Sequence, residues 1–147
     1  MSTRVLAAVF AILVPGLAHA DDCAVVGTPP ASASIPQPAI AAKIAMAMCQ
    51  AEQSLNALKV TPDDAGIAAM TDATKPSFDM LDDAISKSDP FWSPIAMKAR
   101  AGLHVAMAVR MRNSIPPITA KTVGQPLTDH DQAHAALEPK IKPWLAN

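Results

Sequence analysis

Histidines and methionines are the side chains of this sequence whose types and spacing could bind a metal ion or a haem. His130 and His134 are four residues apart, the separation at which two imidazoles on one helix face can share a metal ion. His104 shares a helical stripe with Met107 and Met111. Imidazole and thioether ligands suit copper or the axial positions of a haem. These five residues are therefore candidate ligands of a metal or a non-covalent haem.

The same residues also have structural explanations. Methionines at heptad spacing commonly fill the core between helices. The histidine pair is near a helix start with Asp129 and Asp131 nearby, and such carboxylates stabilise a solvated imidazolium. The sequence has no His-Glu-x-x-His, Cys-x-x-Cys-His or Glu-x-x-His motif. We therefore expect no cofactor, and copper, zinc or haem binding remains the alternative.

Catalytic signatures are absent from the sequence. It contains no Gly-x-Ser-x-Gly nucleophile motif and no glycine-rich phosphate loop. The formal net charge is −1, and the 12 Lys and Arg residues do not cluster, which argues against binding to nucleic acid. We expect a protein that is not an enzyme.

The first twenty residues have the pattern of a secretory signal peptide. Arg4 precedes an apolar stretch over residues 5–17, and Ala18 and Ala20 supply the small side chains of a cleavage site. Cleavage after Ala20 would leave 127 of the 147 residues, with Asp21 at the N-terminus. Beyond this segment no apolar stretch reaches the roughly 20 residues that a membrane span needs. We expect a periplasmic or secreted protein, most simply from a Gram-negative bacterium.

Cys23 and Cys49 are the two cysteines of the chain. In an oxidising compartment such a pair indicates a disulfide, and there is no Cys-x-x-Cys motif to indicate redox chemistry. A closed loop of about 26 residues is worth roughly 3 kcal/mol in the chain-entropy model. We expect the bond to tie the proline-rich segment 21–38, which should be extended or irregular, to the first long helix.

Residues 39–147 have the periodicity of a helical domain. The chain has no Tyr and only 3% aromatic residues, a composition that favours packed helices over a β-sandwich. An amphipathic helix is predicted over residues 39–59, and Thr61 is the predicted N-cap of the next helix. That helix meets Pro76, so it is either one kinked helix or, as we prefer, two helices broken near residues 74–77. Thr128 is the predicted start of a last helix.

Residues 93–113 form the predicted central helix. Ser93 is its expected N-cap and Pro94 its first helical residue. Its large apolar residues fall on every side, which is typical of a buried helix. Arg100 lies on the same stripe as His104, so both polar side chains would need partners, for which a carboxylate from a neighbouring helix is expected.

Phe91 and Trp92 stand side by side in the turn before this helix. They either close one end of the bundle or form an exposed patch that binds another protein. The fold predicted from these patterns is all-α, a small antiparallel bundle of four to five helices with one disulfide. The predicted function is non-catalytic binding of a protein or a small apolar ligand, as in an inhibitor, immunity protein or envelope chaperone. Self-association is left open.

Overall fold

The computed structural model describes residues 20–29, 36–87, 90–119 and 123–146, with the side chains of residues 20–22 excepted. Within these ranges the chain forms five α-helices and no strand, which confirms the predicted fold class. They are α1 (Ala20–Val26), α2 (Pro38–Ala57), α3 (Asp64–Lys87), α4 (Trp92–Asn113) and α5 (Gln125–Leu145). Apart from Ala20, the predicted signal peptide lies outside the described residues, as do residues 30–35 of the proline-rich segment.

The long helices α2, α3 and α4 pack as antiparallel neighbours. Lys43 near the start of α2 contacts Asp83 near the end of α3. Arg100 in the first half of α4 binds Asp82 in the second half of α3. In addition α4 contacts α2 and α5, and α1 packs on α2. The predicted antiparallel bundle is therefore confirmed, and α4 is the helix that touches α2, α3 and α5.

The hydrophobic core lies between α4 and its neighbours. Alanines at the helix contacts are fully buried, and their small side chains let the helix axes approach closely. Leu, Ile and Met side chains from α3, α4 and α5 fill the space between them. The largest apolar side chains that are fully buried are Met70, Leu81, Leu103, Met107, Met111, Leu137 and Ile141.

The helix α3 is unbroken through Pro76, so the predicted break near residues 74–77 is wrong. Proline removes the hydrogen bond to the carbonyl of the residue four positions earlier, here Asp72. Both Pro76 and Asp72 are exposed, so water can satisfy that carbonyl. On the opposite side Thr74 and Ser77 are fully buried, and this packing holds the helix together.

Four helices begin at residues other than those predicted, and α2 does so by one residue, at Pro38. At α3 the cap is Asp63 and not Thr61: Asp63 Oδ1 accepts the backbone N–H of Gly66 at 2.9 Å and the Thr61 hydroxyl at 2.7 Å. These hydrogen bonds, that of Gly66 first, hold the pKa of the Asp63 carboxyl below its ordinary value. The other two starts are earlier than predicted, at Trp92 for α4 and at Gln125 for α5.

The helix α5 packs on the bundle mainly through its second half. Leu137 and Ile141 are buried, whereas most positions in residues 125–132 are exposed. Pro139 and Pro143 lie inside the helix and both are exposed, as Pro76 is in α3. Lys140 Nζ lies 2.7 Å from an oxygen of Asp64 at the start of α3, which fixes this half of α5 at that end of the bundle.

The disulfide between Cys23 and Cys49 joins α1 to α2, with the two Cα atoms 5.6 Å apart. This confirms the predicted pairing. Cys23 is 3% exposed. The segment that the bond anchors differs from the prediction, because residues 20–26 are helical and not extended or irregular.

Two glycines allow a matched test of this packing. A methyl group at Gly66 would lie 1.9 Å from the carbonyl oxygen of Thr61, whereas one at Gly102 meets nothing within 4 Å. We expect Gly66→Ala to lower the free energy of unfolding by about 2 kcal/mol or more, because the backbone cannot yield. Gly102→Ala should raise it by about 1 kcal/mol through helix propensity. Urea denaturation of both variants checks this, and changes of the same sign would contradict it.

Candidate functional site

The methionines of the predicted ligand stripe are divided between the core and the surface. Met107 and Met111 are 1% and 0% exposed, and the Thr74 hydroxyl lies 3.5 Å from the sulfur of Met107. Met97, seven residues before His104 on the same helical stripe, is 57% exposed. The first two side chains therefore fill the core, as methionine often does between helices.

Arg100 and His104 both lie against Phe78 of α3. Arg100 Nε donates to Asp82 Oδ1 at 2.8 Å, and the Arg100 guanidinium carbon is 5.8 Å from the centre of the Phe78 ring. The ring centroids of His104 and Phe78 are 4.5 Å apart. The prediction that a neighbouring carboxylate pairs with Arg100 is confirmed.

His104 has no such partner within the described part of the chain. Its Nδ1 atom is buried without a hydrogen bond. Burial, and then the nearby Arg100 guanidinium, hold the pKa of the imidazole below the ordinary value of 6.5, and Asp82 opposes this shift. The environment of His104 therefore favours the neutral ring, which packs on Phe78.

His130 and His134 are brought together on the surface of α5. Their ring centroids are 4.6 Å apart and the rings are inclined by 55°. His130 Nδ1 lies 3.3 Å from Asp131 Oδ1. One turn further on, Glu138 binds Arg112 of α4 through two hydrogen bonds of 2.7 and 2.8 Å, which hold the pKa of the Glu138 carboxyl below its ordinary value. Within α5, the predicted pair is thus formed as the sequence spacing indicated.

The five candidate ligands do not form one group. His104 packs on Phe78, Met107 and Met111 are in the core, and His130 and His134 lie together on α5. Across the described ranges no cluster of three or more His, Cys, Asp or Glu side chains is arranged to hold a metal ion. The described residues therefore do not form a metal site that combines His104 with the histidine pair.

Phe91 and Trp92 have separate environments. Trp92 is 3% exposed, and its ring N–H donates to the carbonyl of Pro36, the residue that comes shortly before α2. Phe91 is 45% exposed and meets the Trp92 ring edge to face, with centroids 5.0 Å apart. Trp92 therefore closes one end of the bundle, and Phe91 remains at the surface beside it.

The sequence did not reveal which side of α4 lacks a neighbour, and the expectation of a helix buried on all sides is wrong. Met97, Val105 and Val109 are 57%, 47% and 45% exposed. Gly102 and Ala106, which lie beside Val109 around the helix, are also exposed. We call these five residues the outer face of α4. The sequence feature that indicated an uncovered side was the apolar pattern all round α4, because three neighbouring helices cannot bury every side of such a helix.

The charged side chains of α4 point mostly away from the outer face. Arg100 binds Asp82, and Arg110 donates to the Leu55 carbonyl and the Asn56 side chain of α2. Lys98 is the one charged residue on the outer side of the helix between Met97 and Val109. The outer face is thus apolar apart from Lys98, which lies between Val105 and Val109 around the helix.

Comparison of the chain with protein-family models, with curated proteins and with solved structures finds no match. In the described part of the chain, no helix is both long enough and apolar enough to cross a membrane. The residues of the chain itself are therefore the basis of the functional proposal.

The lowered pKa of His104 should make the stability of the bundle depend on pH. Because its pKa in the folded state lies below 6.5, the unfolded chain binds the proton more readily. Its contribution to the free energy of unfolding is full above pH 6.5 and is lost as the pH falls towards the folded pKa. His104→Phe keeps a ring against Phe78 and removes this loss.

Urea denaturation of the wild type and His104→Phe between pH 8 and pH 5 checks the prediction, because the other titrating groups are common to both proteins. We expect the variant to lose less stability over this range. At pH 8 it should be more stable by about 1 kcal/mol, since it lacks the unpartnered Nδ1. Equal losses in the two proteins would contradict the prediction.

Proposed function

We propose that this protein is a non-catalytic binding protein of the bacterial envelope that holds a protein partner on the outer face of α4. The observation that carries the proposal is the exposure of Met97, Val105 and Val109 on a helix that already packs against α2, α3 and α5. A contiguous exposed apolar surface is costly in water and commonly marks an interaction site.

The shape of the outer face suits another helix. Gly102 and Ala106 lie beside Val105 and Val109 on the helix surface, and the space above Gly102 is open. Small residues let a second helix approach closely, while the neighbouring Val105 and Val109 pack on its side. Each of the three large side chains is about half exposed, so burying it should contribute about 1 kcal/mol.

Phe91 extends the apolar surface beyond the N-terminus of α4, since it is 45% exposed at the turn before that helix. Aromatic residues are common anchors of interfaces. Lys98 adds a positive charge on the outer side, which suits a partner with an acidic residue at the rim. Inhibitors, immunity proteins and envelope chaperones are roles of this kind.

The disulfide supports the envelope as the place of action. Cys23 and Cys49 are joined, and such bonds persist in oxidising compartments such as the periplasm. The pattern of residues 1–20 supplies the route of export. Both features belong to the same proposal, because the bond and the signal each require transfer out of the cytoplasm.

Export predicts a defined N-terminus. We expect intact mass measurement on the protein from a periplasmic or culture-medium fraction to give a chain that begins at Asp21 and has no free thiol. Ala18→Arg should block this processing, because the cleavage site needs a small residue there, whereas the conservative Ala18→Gly should preserve it. A full-length chain with two free thiols in the cytoplasm would contradict the prediction.

The binding surface predicts site-specific capture in cells. A photo-crosslinking amino acid at Val105 should give one discrete adduct, whereas the same residue at Asp72 of α3 or Gln132 of α5, both exposed, should give none. Val109→Glu should remove the Val105 adduct because it places a charge in the apolar contact, and Val109→Ile should keep it.

Circular dichroism controls for folding of these variants. An adduct of twice the mass of the chain would make the partner a second copy of this protein. Identical adducts at all three crosslinking positions, or none at Val105, would contradict the proposed surface.

A further inference from the structure

The two histidines of α5 are arranged as a bidentate chelate. His130 and His134 stand on successive turns of one helix, with ring centroids 4.6 Å apart. Both side chains are partly buried, so their rotamers are restricted by their surroundings. Two imidazoles four residues apart on one helix face can share a metal ion without any contribution from the tertiary fold.

Asp131 orients one of these rings. Its Oδ1 lies 3.3 Å from Nδ1 of His130, within reach of a hydrogen bond that the ring N–H donates. A carboxylate in this position holds the proton of a neutral imidazole on Nδ1 and leaves the lone pair of Nε2 free to bind a metal. The same carboxylate makes the ring a stronger ligand.

The charge around the pair favours a cation. Residues 128–138 contain Asp129, Asp131 and Glu138 and no Lys or Arg. The cation that reaches this segment from α4 is Arg112, which pairs with Glu138, and Gln125 donates to Asp129 at 2.6 Å. Asp131 is 69% exposed at its side chain and adds a negative charge next to His130.

We infer that His130 and His134 form a binding site for Cu²⁺, with Nε2 of His130 and a ring nitrogen of His134 as its ligands. Copper is the metal that imidazole ligands bind most tightly among the divalent ions of its row. Since no cluster of three or more His, Cys, Asp or Glu side chains occurs in the described ranges, solvent completes the coordination. The site is therefore open and weaker than a closed four-ligand site.

Binding here also has a structural consequence. The first half of α5 is mostly exposed and lacks the buried Leu137 and Ile141 of the second half. A metal that joins two successive turns stabilises the helical form of residues 128–136, because the unfolded segment does not hold the two rings together. Copper should therefore slow the exchange of the backbone amides in this segment.

The test uses the processed chain, freed of metal with a chelator and then titrated with Cu²⁺. We expect one equivalent to bind, with an electron paramagnetic resonance spectrum that shows two nitrogen ligands. His130→Ala and His134→Ala should each weaken binding at least tenfold, whereas His104→Phe, which removes a histidine elsewhere, should leave it unchanged. Asp131→Asn should weaken binding by less than either histidine variant does.

Copper binding that is unchanged in both histidine variants, or a spectrum without nitrogen ligands, would overturn the site. A site that prefers Zn²⁺ to Cu²⁺ would also overturn it. If the variants fail to fold, hydrogen exchange of the wild-type protein decides instead. Protection of residues 128–136 by Cu²⁺ supports the site, and unchanged exchange there refutes it. None of these outcomes depends on whether a partner binds the outer face of α4.

Discussion

The burial of one side of α4 against three other helices is the constraint on which the structure depends. Leu103, Met107 and Met111 are almost fully enclosed, and the large buried side chains of α3 and α5 pack around them. A helix that is apolar on every side cannot be covered completely by three neighbours in a chain of this size. The uncovered part is the outer face, so the same packing that builds the core also creates the candidate binding surface.

The arginines of α4 reinforce this division. Arg100 reaches α3, Arg110 reaches α2 and Arg112 reaches α5, so each contacts a different neighbouring helix. Exposed ion pairs contribute little stability one by one, typically below about 1 kcal/mol. Their larger effect is on specificity, because the three guanidinium groups fix the order of the helices around α4 and leave its outer face without arginine. The outer side of α4 then carries one long charged side chain between Met97 and Val109, that of Lys98.

Periodicity and composition were sufficient to predict the helices, the antiparallel bundle and the Cys23–Cys49 bond, because each follows from local pattern or from compartment. The errors arose where local rules compete with tertiary packing. Pro76 breaks a helix only if its lost hydrogen bond cannot be replaced, and its exposure, which decides this, is not visible in the sequence. Likewise the all-round apolar pattern of α4 indicated burial, but the missing neighbour depends on where α5 packs.

Among the candidate ligands, too, contacts within one helix could be predicted from the sequence, whereas contacts between helices could not. The contact between His130 and His134 needs only that α5 is a helix, so the spacing of the two residues was enough to predict it. The approach of His104 to that pair needed a particular placement of α5 on α4. Glu138 of α5 instead binds Arg112, which is eight residues, or about 12 Å, further along α4 than His104. His104 packs on Phe78 of α3, so the imidazoles that meet on α5 are those of His130 and His134.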